Sequence, residues 1–317
     1  MMQRKIILDC DPGRDDALAI ALALASPGEI DLLGITAVAG NVSVDITSRN
    51  ARLIAEIAGF PDTRVYRGAD EPLKAPRRDA ARVHGITGLQ GIEVYEPDLP
   101  LQPMSAHDFI KEMLSVADDD EITLVPTGPL TNIANVIETA PGVLSAVREI
   151  VLMGGGAREA GNVTPTAEFN IFADPHAADI VFRCGRPVTV ISLDVTSKVL
   201  ARPEHIGALE KQGTPIARAL AALFTHDNAS YTERYGTGVI PAHDPCTVAW
   251  LLWPDLFECV DVAVEVDTRD GPTFGMTIVD FWRKTSNPPN VRWVTRIDTE
   301  AFFERFIARI ATLGGHA

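Results

Sequence analysis

Short apolar runs alternate with longer stretches of helical composition along the chain. Ile6–Leu8 reads as a buried strand, followed by a Pro12-Gly13 turn. Asp15–Ala25 then alternates Ala with Leu and Ile. Alternation is a strand pattern, but alanine favours helix and disfavours strand, so the segment predicts a helix apolar nearly all round and packed at the centre of the protein. Ile30–Ala39 predicts a second strand and Asp45–Ala58 a second helix. Glu121–Pro126 is a strand that turns at Thr127-Gly128-Pro129 into a helix ending at Thr139, and Glu149–Met153 is a strand running into three glycines. Asp174–Phe182 predicts helix, Pro187–Leu193 strand, and Pro203–Tyr235 mostly helix. Strands near Val260–Val266, Met276–Val279 and Val291–Ile297 precede a closing helix, Thr299–Ile310.

This repeated β-α order predicts an α/β fold: an open, twisted, mostly parallel (mixed) sheet with helices on both faces. Tyr66–Pro103 reads as long loops inside one domain spanning residues 1–317, with no linker or fixed-period repeat. In open sheets of this kind ligands bind beyond the carboxyl ends of the strands, so the residues just after each strand are the place to look for chemistry.

Composition narrows the partners. Of 317 residues 46% are hydrophobic, as in a globular protein, and 28 Lys+Arg against 43 Asp+Glu leave a formal charge of −15. That excess of acid disfavours nucleic acid polymers and anionic membranes, but not a small ligand or a divalent cation. The N-terminus reaches Asp9 after three apolar residues, so no secretory leader is expected, and no apolar run approaches the roughly 20 residues that span a bilayer. Cys10, Cys184, Cys246 and Cys259 show neither CxxC pairing nor zinc spacing. A cytoplasmic protein with reduced thiols is the expectation.

Four strand-end segments are unusually polar. Asp9-Cys10-Asp11-Pro12-Gly13-Arg14-Asp15-Asp16 puts four carboxylates in eight residues. Helix capping explains one or two of them; four would repel one another unless a cation sits among them, and hard divalent cations take several carboxylate oxygens. Thr127–Asn132 reads equally as a turn with a helix start. Gly154-Gly155-Gly156, with Gly161-Asn162 and Glu168-Phe169-Asn170 beyond it, is either a solvated loop or a grip on a polyhydroxylated ligand such as a sugar. His243-Asp244, and His84 in Val83–Gly88, fit a structural hydrogen bond as well as a functional one.

Together these segments resemble the inosine-uridine-preferring nucleoside hydrolases. The resemblance runs through Ile6–Leu18 with its DxDPGxDD signature, Leu124–Asn132, Val151–Gly156, Glu168–Asp174 and His243–Pro245. It implies the Rossmann-like fold of that family and hydrolysis of the N-glycosidic bond of ribonucleosides to base and ribose, in nucleoside salvage. It implies one calcium ion per chain, held by Asp11, both oxygens of Asp16, the backbone carbonyl of Thr127 and Asp244. Asp11 would also be the general base. Asp15 and Asn170 would bind the ribose 2′- and 3′-hydroxyls, and Asn41, Asn162 and Glu168 the others, including the 5′ end. His243 matches the general acid and His84 a second pocket histidine, while Tyr231 and Tyr235 match the wall that contacts the base. Asp9 keeps a supporting hydrogen bond. The presence of His243 implies a nonspecific or pyrimidine-leaning enzyme of the inosine/uridine type, and family members are commonly homotetramers or dimers.

Two rivals share parts of this pattern. Haloacid-dehalogenase-like phosphatases also open on strand-DxD, which Asp9 and Asp11 would supply, with magnesium; Pro12-Gly13 and the Asp15-Asp16 pair are foreign to it. A non-catalytic nucleoside- or ribose-binding protein could use the same grip on metal and diol, but would have no use for both a base and an acid.

Overall fold

The computed structural model describes residues 3–225, 232 and 239–314. Its strands, in chain order, are β1 (Arg4–Cys10), β2 (Ile30–Ala37), β3 (Val65–Arg67), β4 (Leu101–Gln102), β5 (Ile122–Pro126), β6 (Val147–Met153), β7 (Val188–Ile191), β8 (Leu200–Ala201), β9 (Ile240–Pro241), β10 (Phe257–Val262), β11 (Val264–Val266), β12 (Thr277–Val279) and β13 (Val291–Ile297). The main sheet runs β10-β13-β7-β6-β5-β1-β2-β3-β4. Every neighbouring pair is parallel except β10 with β13, which makes the sheet mixed at one edge, as the β-α order predicts.

β1 lies inside the sheet between β5 and β2 and is buried on both faces. Ile6, Leu8 and Cys10 join one hydrophobic core and Ile7 the other. This is why the strand reads as a continuous apolar run rather than an alternating one. α1 (Arg14–Leu24) follows, then α2 (Val44–Ile57), the single turn α3 (Ala81–His84), α4 (Ala106–Val116), α5 (Thr131–Thr139), α6 (Phe169–Ala173) and α7 (Pro175–Phe182). From Ala17 to Leu24 every residue of α1 is buried, against α2 and against the helices Pro215–Thr225, Pro245–Leu252 and Thr299–Ile310. Its alternating sequence is that of a helix with no solvent face.

The differences from the sequence expectation are local. Pro203–Tyr235 is two helices, Pro203–Gln212 and Pro215–Thr225, because Gly213 caps the first in the left-handed conformation (φ 73°). The remainder of that stretch, apart from Thr232, lies outside the described residues, and Tyr231 and Tyr235 with it. Val260–Val266 is divided between β10 and β11, and β7 stops at Ile191 where Ser192 caps the short helix Leu193–Thr196. Tyr66–Pro103 is mostly irregular but carries β3, α3 and β4. No helix among the described residues is long and apolar enough to cross a membrane.

The completeness of α1 burial is testable. Ala21 is fully buried, so Ala21→Leu should cost about 1–3 kcal/mol in denaturant unfolding through overpacking. A helix with a free face would accept the change, so an unshifted midpoint would contradict the packing.

Candidate active site

β1 ends at Cys10, and the chain turns through Pro12-Gly13 into α1, so Asp11, Asp15 and Asp16 gather where the central strand meets a helix N-terminus. Asp16 Oδ2 accepts the Gly13 backbone N–H (2.9 Å), closing the first turn, and its Oδ1 accepts the Thr127 hydroxyl (2.8 Å) from the end of β5. Asp11 Oδ2 accepts the backbone N–H of Asn41 (2.7 Å), while the Asn41 side chain donates to the Asp11 carbonyl (3.0 Å). Glycines make room for it. A Cβ on Gly40 would stand 2.1 Å from Asp11 Oδ2, and one on Gly128 would stand 2.6 Å from Oδ1.

Asp244 arrives from the far end of the chain, immediately before the helix Pro245–Leu252 that packs on α1. Among the described residues, oxygens of Asp15, Asp16 and Asp244 lie within 4.8 Å of one another. Asp11 stands just outside that tight group but close enough to act on its charge. Burial, then repulsion from the neighbouring carboxylates, pushes Asp11 and Asp244 well above the usual carboxylate range and Asp15 to about 7, while burial alone raises Asp16 against the hydrogen bonds it accepts. Asp15 and Asp244 approach within hydrogen-bonding reach, which two bare carboxylates do not tolerate. A hard divalent cation would resolve that conflict. The donor set, carboxylates with the Thr127 carbonyl nearby, is all oxygen and suits such an ion.

The remaining predicted residues come from other strand ends. Asn170, in α6, donates to the Thr127 carbonyl (2.7 Å) and to the Met153 carbonyl at the end of β6 (3.1 Å). Glu168 caps α6, accepting N–H groups from Gly155 (2.9 Å), Asn170 (2.9 Å) and Ile171 (3.2 Å). Burial nonetheless raises its carboxyl to about 7. Asn162 Oδ1 accepts the Phe169 N–H (2.9 Å), tying the glycine-rich loop to α6. His84 Nδ1 accepts the Arg14 backbone N–H (3.2 Å), and His243 Nδ1 lies 2.7 Å from the Thr196 hydroxyl. Burial, then the charges of Arg14 and His243, lowers His84 to about 3, so it is neutral.

One cavity of about 330 Å³ is lined by Asp11, Asp15, Asn41, His84, Thr127, Asn162, Glu168, Asn170, His243 and Asp244. Its size is that of a small-molecule site. Asp16 sits behind this wall, fully buried. Asp79, Ala80, Arg82 and Val163 also line it, beside the segments the sequence singles out, which themselves supply Val83, Met153 and Phe169. Asp79, Ala80, Arg82 and Val163 are signalled only by nearness in sequence to His84 and Asn162. Asp9 is outside the cavity, one oxygen held by Thr36 (2.6 Å) and Asn132 (2.7 Å), so the pairing of Asp9 with Asp11 that a phosphatase needs is not formed.

The chain matches known proteins over nearly its whole length. A family model described as inosine-uridine preferring nucleoside hydrolase matches residues 6–304. The pyrimidine-specific ribonucleoside hydrolase RihA of Photobacterium profundum is 43% identical over 311 residues, covering 98% of this chain and 99% of that one. The structure of a purine-preferring ribonucleoside hydrolase from Gardnerella vaginalis superposes with a TM-score of 0.91 at 35% identity, over 99% of this chain and 100% of the other. With its strand-end carboxylates, its cavity and its full-length match, the chain belongs to the inosine-uridine preferring nucleoside hydrolase family, enzymes that hydrolyse the N-glycosidic bond of ribonucleosides.

Proposed function

We propose that this enzyme is calcium-dependent and acts on nucleosides of the inosine and uridine type, either without base preference or leaning to pyrimidines. The observation that carries the reading is that one cavity holds a buried carboxylate cluster and a buried histidine, His243, together. The likeness to a hydrolase named pyrimidine-specific supports the base preference. The reading extends to a single domain over residues 1–317, to a homo-oligomer of two or four chains, and to a cytoplasmic salvage role.

Asp11, Asp16, the Thr127 carbonyl and Asp244 would hold one calcium ion. When bound, calcium supplies positive charge that orients the ribose diol and eases deprotonation of the attacking water. Asp11 takes the proton from that water as its oxygen attacks C1′. The C1′–N bond breaks, its electron pair goes to the base, and His243 protonates the base. Asp15 and Asn170 grip the 2′- and 3′-hydroxyls, and Asn41, Asn162 and Glu168 the rest of the ribose. The carboxylates around the sugar stabilise the positive charge that grows on it. Tyr231 and Tyr235 complete the base side in this reading, although they lie outside the described residues.

Reducing sugar should appear from inosine and from uridine with calcium present, and vanish after exhaustive chelation. No ribose from either, with calcium bound to folded protein, would overturn the reading. Asp11→Asn should keep its thermal transition yet lose turnover, and a fully active variant would remove Asp11 as the base. His243→Ala should lower kcat on inosine by about a hundred- to ten-thousand-fold while changing binding little. Turnover like that of the unmodified enzyme would take His243 out of the mechanism.

A further inference from the structure

Between β3 and β4, α3 is the one regular element among the described residues, and it brings Arg82, Val83 and His84 to the cavity. A four-residue helix does not hold itself in place, because a single turn fixes several dihedrals for little hydrogen bonding. Its anchor is Arg14, the first residue of α1 and only 3% exposed. The Arg14 Nη2 donates to the Val83 carbonyl (3.1 Å), and its backbone N–H donates to His84 Nδ1 (3.2 Å). Gly13 lets the imidazole lie against the turn: a Cβ there would stand 2.4 Å from His84 Nδ1.

These contacts choose a tautomer. A ring nitrogen that accepts from a backbone N–H carries no proton, so the proton of neutral His84 is on Nε2. Among the described residues no hydrogen bond uses Nε2, and His84 lines the cavity. We propose that Arg14 is a positioning residue for the reaction: by gripping Val83 and His84 it fixes His84 as an Nε2–H donor to an acceptor atom of the departing base. The proposal rests on the hydrolase reading above and assigns His84 to binding the base, leaving proton supply to His243. Arg14 thus ties the carboxylate end of the site to its base end, since the residue that follows it is Asp15.

The test is a double-mutant cycle in the full-length, calcium-loaded enzyme. Arg14→Met keeps a long buried side chain without the guanidinium, and should lower kcat/KM on uridine and inosine by about ten- to a hundredfold, the scale of a small misplacement. The same change in a His84→Ala background should cost almost nothing more, because its effect passes through His84. Arg14→Lys, which keeps one donor for the Val83 carbonyl, should recover most of the loss. Calcium affinity by calorimetry should be unchanged, and amide exchange at residues 81–85 faster in Arg14→Met. Nitrogen NMR of the histidines should show the Nε2–H form at His84 in the unmodified protein. Losses that add in full across the cycle, unaltered kinetics in Arg14→Met, or an Nδ1–H signal would each overturn the proposal. If Arg14→Met does not fold, Arg14→Lys and the tautomer decide. Absence of ribose release by the unmodified enzyme would count against the hydrolase reading, while NMR and amide exchange would still judge the tether.

Discussion

Four carboxylates crowded at the end of the central strand, Asp11, Asp16 and Asp244 buried and Asp15 half-buried, are the constraint around which the site is arranged. Taking one ion out of water is costly, and bringing several of like sign together costs more. Part of that cost is met by the fold itself. The N-terminus of α1 faces Asp15 and Asp16, the Gly13 and Asn41 backbone N–H groups point at Asp16 and Asp11, and the Thr127 hydroxyl donates to Asp16. The crowding also dictates which residues may stand nearby. Gly40 and Gly128 lie so close to Asp11 that no side chain fits at either position, which makes these glycines part of the carboxylate's seat.

Other buried carboxylates show what full hydrogen bonding looks like in the same protein. Asp194 accepts three consecutive backbone N–H groups, from Ala157, Arg158 and Glu159, through one oxygen, and the Trp293 indole through the other. Asp174 accepts from Thr131, Leu73 and Ala177, joining α5, the 68–80 loop and α7. These residues have several fixed donors and do not line the cavity. Asp15 and Asp244 face one another instead, with burial and like charge raising both. The contrast separates carboxylates that hold loops in place from carboxylates left available for a cation and a substrate.

Much of this was legible in the sequence where the signal is local. β13 and the closing helix Thr299–Ile310 have the bounds their patterns predict, and α1 follows from alanine's preference for helix despite an alternating pattern. The strand-end segments carrying Asp11, Thr127, Glu168 and His243 do converge on one cavity. What stayed hidden depends on contacts between distant segments. Arg14 reads as one more polar residue in a charged turn, and only the fold shows its guanidinium on a carbonyl 69 residues away. Asp194 and Trp293, 99 residues apart, carry no shared motif. The irregular stretch between β3 and β4 has no periodicity to read, so Asp79 and Ala80 in the cavity wall carry no local signal of their own.

The cavity's polarity matches the charge that N-glycosidic cleavage creates. At the transition state positive charge builds on the ribose and negative charge on the base, so the sugar end gains from carboxylates and the base end from hydrogen-bond donors. In the proposed mechanism Asp11, Asp15, Glu168 and Asp244, all in the cavity wall, supply the first. His84 suits the second because burial and the charge of Arg14 keep it neutral, and a backbone donor on Nδ1 leaves its proton on Nε2. A histidinium beside the carboxylates would instead form an ion pair with them before any substrate arrived. In the role proposed for it, an uncharged His84 would be a donor whose strength is called on only as the base departs, which is where differential stabilisation of the transition state lies.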